Sequence, residues 1–207
     1  MQAKPLRFYG RRKGKPLSPL KKDQKENILP EYLLTAEKIK KAHILEIGFG
    51  GGEHLAYQAL QNPDKNFIGA EVFENGVISL LQHMLKGGIK NIHIHQDDAR
   101  KILKEFKDGQ LKIVYLLFPD PWPKKRHAER RFIHPDNLKE IHRILKKGGK
   151  FIVASDHPVY QEWVKETLLP LPEYKRIDYT PPEMKTRYEA KAYREGRTPE
   201  YFCLEKL

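Results

Sequence analysis

The chain is poor in sulfur, with one cysteine, Cys203, and three methionines among 207 residues. One cysteine excludes an internal disulfide framework and fits a reducing cytosol; Cys203 reads as a packing residue near the C-terminus. Long apolar runs are also missing. No stretch approaches the roughly 18–20 residues that cross a bilayer, and no apolar secretory segment follows Met1, so neither a membrane span nor export is expected. There are no repeats or low-complexity tracts. The nine histidines are scattered without metal-ligand spacing, and no metal is expected. His93 and His95 alternate on an expected strand, where surface or core duty is the simpler reading. Acid is in deficit: 27 Asp and Glu stand against 39 Lys and Arg, a net charge of +12. That balance favours a polyanionic partner, nucleic acid before an anionic membrane surface. The length suits one domain with a sizeable core.

The chain is organised around residues 112–131. Ile113 to Phe118 is an unbroken apolar run, which reads as a strand buried on both faces in a parallel sheet. Pro119, Pro121 and Pro123 then remove three backbone donors and end it. Each proline should push its predecessor, Phe118, Asp120 or Trp122, toward extended backbone. The result is a stiff loop at the carboxyl end of a central strand, where open α/β sheets bind ligands. It presents a carboxylate, Asp120, and a large aromatic, Trp122. Six of the eight residues after Pro123 are Lys, Arg or His. A carboxylate can hold the hydrogen-bonding edge of a base, an aromatic can stack on it, and cations can hold phosphates. The basic run also suits an ordinary solvated face.

Residues 1–29 are polar and basic, including Lys4, Arg7, Arg11, Arg12, Lys13, Lys15, Lys21, Lys22 and Lys25. They read as a mobile tail or as an arm that orders on phosphates, ahead of a single domain over residues 30–207. Pro30 should open a short helix carrying Tyr32, Leu33, Ala36 and Ile39 on one side. Residues 43–52 form a strand that enters a glycine turn, Gly48-Phe49-Gly50-Gly51-Gly52, followed by a helix from Glu53. Glycines there let the chain turn sharply and a ligand come close. Glu71, about 20 residues on at the end of the next strand, can accept from both ribose hydroxyls of a nucleoside. Glu46 is a carboxylate inside an apolar strand and needs a cation or donors. A pyrophosphate-bearing dinucleotide would be repelled by Glu46; S-adenosylmethionine, with an ammonium, a sulfonium and no phosphate, would not. Glu46 in a structural salt bridge is the plainer alternative.

A helix over 74–86 should end at Gly87-Gly88, and a third strand over 91–95 leads to Asp97-Asp98-Ala99. Either acid there can meet an adenine amino group or cap the helix that follows through residue 106. His134-Pro135 starts a helix with Gly148-Gly149 as its stop. A strand over 150–154 follows, with Ser155-Asp156 at its ligand end, and then a helix near 158–169. Two antiparallel strands, about 173–179 and 200–206, enclose Thr186-Arg187-Tyr188-Glu189, a Thr-x-x-Glu capping box whose helix Gly196 would end. Such a helix N-terminus also offers N–H groups to anions.

Taken together, Leu45 to Gly52, the Phe-Pro-Asp-Pro-Trp-Pro-Lys-Lys-Arg-His segment of residues 118–127, and Thr186 to Glu189 resemble class I S-adenosylmethionine-dependent methyltransferases. More narrowly, they resemble the bacterial tRNA (guanine-N7)-methyltransferase family, over residues 43–206. The resemblance implies a Rossmann-like α/β fold, with a seven-stranded, mostly parallel sheet whose last strand is antiparallel and helices on both faces. It implies S-adenosylmethionine as cofactor, tRNA as partner, a cytoplasmic enzyme, and a variable-loop guanosine, usually position 46, as methyl acceptor. Glu46, Gly48, Gly50, Glu71, Asp98 and Asp120 fall on cofactor positions, with Asp120 also the catalytic candidate. Asp98 is chosen over Asp97 because Ala99 follows it. Lys124, Asp156, Thr186, Arg187, Tyr188 and Glu189 fall on substrate positions. Lys125, Arg126, His127, Arg130 and Arg131 fall on the RNA contact. Monomer and homodimer both suit the sequence. The rival readings are a class I methyltransferase acting elsewhere on RNA or on a protein, a non-catalytic RNA-binding relict of the fold, and, third, a nicotinamide-dependent oxidoreductase.

Overall fold

The computed structural model describes residues 8–207; Lys4 and Arg7 of the basic arm lie outside the described residues. Seven strands form one sheet in the order β3-β2-β1-β4-β5-β7-β6. They are β1 Ile44–Ile47, β2 Phe67–Ala70, β3 Ile92–His95, β4 Leu111–Leu117, β5 Leu145–Ser155, β6 Tyr174–Ile177 and β7 Glu200–Lys206. The first five run parallel. The last, β7, is antiparallel to both neighbours, β5 and β6. Chain order reverses across β1, whose neighbours are β2 and β4, so a crevice opens at their carboxyl ends.

Alternation along each strand splits the core in two. Leu45, Ile47, Val114, Leu116, Phe151 and Val153 face one side. There they pack against α6 (Pro135–Ile144) and α7 (Pro158–Thr167), which bring Leu138, Ile141, Ile144, Tyr160 and Val164. Ile44, Phe67, Ile92, Tyr115 and Ile152 face the other side, against Leu55 and Ala59 of α4 (Glu53–Gln61) and Val77, Leu81 and Met84 of α5 (Glu74–Gly87). As expected, α5 closes on Gly88, which adopts φ +63°. Among the described residues no helix is long and apolar enough to cross a membrane.

Three expectations are corrected. The first helical region starts earlier, with α1 (Pro19–Asp23) running into a π turn (Gln24–Ile28). That turn precedes Pro30, whose ring would strike the Glu26 carbonyl in a regular helix. Pro30 does sit in the first turn of α2 (Leu29–Tyr32), but this helix ends at Leu33, which bridges to Ile94 instead. A separate α3 (Ala36–Lys40) restarts from a Thr35 cap. Second, α6 ends at Ile144, before the glycine pair. Pairing jumps from Leu111↔Leu145 to Ile113↔Lys150, so Gly148 and Gly149 serve a bulge in β5. Third, the segment after Asp98 is two 3-10 turns, Ala99–Lys101 and Leu103–Glu105, rather than one helix.

Candidate active site

The carboxyl ends of β1, β2, β3 and β4 enclose a cleft of about 370 Å³, lined by Gly48, Gly50, Glu71, Asp97, Asp98, Asp120, Trp122 and Tyr188 among others. The register makes this unavoidable. Ile47 lies beside both Ala70 and Leu116, so Gly48, Glu71 and the residues after Leu117 emerge at one level.

Most of the acids in the cleft wall are already engaged. Glu71 takes three backbone N–H groups, from Gly50 at 2.8 Å, Val72 at 2.8 Å and Phe73 at 2.9 Å. Burial nevertheless pushes its pKa up, and those three bonds only oppose the shift. Asp98 caps its 3-10 turn by accepting from Arg100 N at 3.0 Å, and the Arg100 guanidinium grips both of its oxygens. Asp97 pairs with Lys101 at 2.6 Å. Asp97 and Asp98 both line the cleft, but Asp98 is the buried one.

Asp120 differs. It opens into the cleft, and among the described residues it has no hydrogen bond or ion pair. The cleft walls desolvate its carboxyl and raise its pKa. Its loop is held by strain rather than by extended backbone. Phe118 has φ +51° and Trp122 +43°, which corrects the extended geometry expected before proline. Bulky residues in this region cost about 1–3 kcal/mol each. Arg131 over-determines the loop. It is 6% exposed and donates to the Pro121 carbonyl at 3.1 Å and the Trp122 carbonyl at 3.0 Å, with its guanidinium over Trp163.

Arg131, expected at the RNA contact, instead turns its Nε and Nη2 donors on the loop. Lys124, Lys125 and Arg126 are exposed on the 3-10 turn Lys125–Arg130 and its approach. His127 meets Trp122 edge-on, and Arg130 lies over the Trp122 ring.

Glu46, expected among the cofactor positions, lies outside the cleft lining. It shares a face with Ile44, away from Leu45 and Ile47. Its Oε2 lies 2.7 Å from His54 Nδ1, with both side chains buried, and the His54 ring packs edge-on against Tyr115 at 4.7 Å. The partner it requires is intramolecular.

The Thr186–Glu189 segment, far away in sequence, is brought onto the glycine turn. Thr186 caps α8 (Arg187–Arg194), its Oγ1 accepting from Glu189 N at 3.1 Å, and Gly196 follows the helix with φ +69°. Arg187 reaches back to Glu53 at 2.6 Å and Ser79 at 3.3 Å. The Tyr188 ring covers Gly50, so a Cβ on Gly50 would meet the ring at 2.8 Å. Glu189 is buried, close to Tyr201. Asp156 lies apart from the cleft lining, held by Arg197 Nε at 2.7 Å.

Sequence reasoning missed His54, Arg100 and Arg197, the partners of three acids it selected. His54 alone had a usable signal, a possible cation opening the helix after Glu46. It also missed the part taken by residues 8–15. Phe8, Tyr9, Gly10 and Arg11 line the cleft. Arg12 O accepts from Glu74 N at 2.9 Å, and Gly14 N donates to Asn75 Oδ1 at 2.8 Å. Among the described residues no cluster of three or more potential ligands could hold a metal.

The cleft suits S-adenosylmethionine. Its wall offers carboxylate acceptors to ribose, adenine and ammonium donors, and a side-chain-free turn for close approach. The fold agrees. A 16S rRNA methyltransferase, KamB, superposes with TM-score 0.58 at 16% identity, covering 83% of this chain and 92% of that one. An rRNA methylase from Streptococcus thermophilus gives 0.56 at 17%, covering 83% and 91%. The profile of a family described as "Putative methyltransferase" matches residues 40–201. A tRNA (guanine-N(7)-)-methyltransferase of Zymomonas mobilis is 42% identical over 97% of this chain and 94% of its own length. One from Agrobacterium fabrum is 40% identical over 94% and 92%. The sheet with its antiparallel last strand, the acid-lined cleft and these full-length likenesses place the chain in the tRNA (guanine-N7-)-methyltransferase family.

Proposed function

We propose that this chain, a tRNA (guanine-N7-)-methyltransferase that uses S-adenosylmethionine, methylates a variable-loop guanosine, position 46, in the cytoplasm, with Asp120 as the carboxylate that meets the purine. The observation that carries the role of Asp120 is its isolation: it is partnerless among the described residues, in a cleft where Glu71, Asp97 and Asp98 are engaged. Glu71, Asp98, Gly48 and Gly50 would hold the cofactor, which supplies an electrophilic methyl group on a sulfonium. Glu46 supports the turn through His54.

Guanine N7 carries a lone pair and no proton, so no base is needed before transfer. This chain's part is positioning and electrostatics. Asp120 stabilises the positive charge that develops on the ring and can accept from N1–H and the exocyclic amino group. Lys124, Lys125 and Arg126 hold phosphates around it. N7 lies in the narrow, deep groove of A-form RNA, so the target base must be unstacked to enter the cleft. Tyr188 and Arg187 close the glycine-turn side.

The test is to incubate the protein with unmodified tRNA and methyl-labelled S-adenosylmethionine and to map the label by cleavage at 7-methylguanosine. Label at a variable-loop guanosine is the expected result. Label at another nucleotide would overturn the assignment of the position.

A further inference from the structure

Among the described residues, two aromatic rings in the cleft converge on the Arg130 guanidinium. The Arg130 guanidinium carbon lies 4.5 Å from the Tyr9 ring centroid and 5.0 Å from that of Trp122. The two rings stand at 73° with centroids 6.3 Å apart, and His127 braces Trp122 edge-on at 5.9 Å. Tyr9, Trp122 and Arg130 line the same cleft as Asp120. The wall therefore holds a concave pair of π faces, whose quadrupoles attract positive charge, near a carboxylate that has no partner among the described residues.

The placement of Trp122 is enforced. A tryptophan at φ +43° is strained, and it is fixed by Pro121, Pro123 and the two carbonyl bonds from Arg131. Strain that surrounding structure maintains is a mark of use. The cation on it, by contrast, is loosely kept. Arg131 is buried, and its guanidinium is bonded to carbonyls. Arg130 makes no hydrogen bond or ion pair among the described residues, and Tyr9 is 41% exposed. Arg130 can leave without unpacking the core.

A guanidinium is flat, delocalised and cationic. A purine methylated at N7 shares all three properties, whereas unmethylated guanine is flat but neutral. We propose that Tyr9 and Trp122 form a cation subsite for the N7-methylated purine, and that Arg130 occupies it when no purine is present. The proposal deepens the methyl-transfer reading and rests on it. In that reaction the N7 lone pair forms the new N–C bond as the C–S bond breaks, its electron pair returning to sulfur. Positive charge passes from the sulfonium to the purine, and the subsite favours the ring as that charge arrives. The displaced Arg130 can then take a phosphate of the incoming RNA.

The experiment uses the full chain saturated with S-adenosylhomocysteine, so that the cofactor's own nucleoside pocket is filled. Guanosine 5′-monophosphate and 7-methylguanosine 5′-monophosphate are titrated separately, slightly below neutral pH, where the methylated ring keeps its charge. Isothermal titration calorimetry reports binding. The methylated nucleotide should bind about tenfold more tightly, within the range of a partly desolvated cation–π contact. Trp122→Leu and Tyr9→Leu should each remove that preference. Arg130→Gln, which vacates the subsite, should tighten binding of the methylated nucleotide while weakening binding of tRNA, opposite signs that a merely structural arginine would not give. Equal affinity of the wild type for the two nucleotides, or a looser methylated complex in Arg130→Gln, would overturn the proposal. Methyl labelling of tRNA keeps the two failures apart. Label at N7 without nucleotide preference sinks only the subsite, whereas no label at N7 sinks the reading beneath it.

Discussion

Glu46 gives its carboxylate to His54 rather than to the cleft. Oε2 and Nδ1 lie 2.7 Å apart, and both residues are almost fully buried. Removing one partner of such a pair strands the other in a low-dielectric interior. His54→Leu should therefore destabilise the fold by about 3–5 kcal/mol. Glu46→Gln, which keeps shape and a hydrogen bond without a charge to strand, should cost less. The double change Glu46→Leu, His54→Leu should recover part of the single His54 loss. Urea unfolding of the three variants checks this. A His54→Leu loss no larger than that of Glu46→Gln would show that the buried carboxyl does not depend on the histidine.

Asp120 and Glu71 should give opposite pH trends in stability and in turnover. Burial raises the pKa of both, and their mutual repulsion adds to the shift at Glu71. A carboxyl whose folded pKa exceeds its unfolded value lends stability that is complete below the unfolded value. That stability is lost as pH rises through the folded value. The free enzyme should thus gain stability as the pH falls through the raised folded values. Turnover should fall over the same interval, because the purine's charge needs an ionised Asp120. Asp120→Asn should lower kcat about 100-fold, the scale of losing one preorganised electrostatic group. It should leave cofactor affinity nearly unchanged and the melting temperature equal or higher. Equal losses in kcat and cofactor affinity would count against the assigned role.

What was legible in the sequence was local. The glycine turn, the acids after β2 and β3, the proline-bounded Asp120 and the Thr186 cap each declare themselves within a few residues; Gly48, Gly50, Glu71, Asp97, Asp98 and Asp120 line one cleft, and Thr186 caps α8. What was not legible depended on direction and on partners far along the chain. A run of six cations does not say which one turns inward, and Arg131 does so because two loop carbonyls and Trp163 await it. The proline rule for the preceding residue gave the wrong backbone for Phe118 and Trp122 because the loop's tertiary bonds override it. Gly148 and Gly149 carried a helix-stop signal, yet the register of β4 against β5 uses them in a bulge.

Gly76 is a tighter constraint on the cofactor turn than the glycines of the motif itself. A Cβ there would lie 2.2 Å from the Gly50 carbonyl oxygen, a backbone atom with little room to give. Gly76→Ala must push α5 off the turn, which should cost about 1–3 kcal/mol as overpacking does and weaken cofactor binding at least tenfold. Gly48→Ala meets nothing within 4 Å. It should cost only the left-handed backbone penalty, about 1–2 kcal/mol. Calorimetric titration with S-adenosylhomocysteine, alongside thermal melts, separates the two. Equal affinity in both variants would mean that α5 adapts.

The basic run divides into residues that face solvent and one that holds the protein. Lys124, Lys125 and Arg126 are exposed, whereas Arg131 is buried beneath the loop. Counterion release makes the distinction measurable. Each phosphate contact contributes roughly one unit to the slope of log K against log salt, somewhat less on single strands. Arg126→Gln should therefore weaken tRNA binding, flatten that slope by about one unit, and leave the melting temperature unchanged. Arg131→Gln should leave the slope unchanged. Its cost should appear in stability, about 1–3 kcal/mol as two half-buried carbonyls lose their donors. It should also appear in kcat, because Asp120 and Trp122 lose the clamp that fixes their loop. A slope change for Arg131→Gln as large as that for Arg126→Gln would place its guanidinium on phosphate after all, in a loop rearranged by RNA.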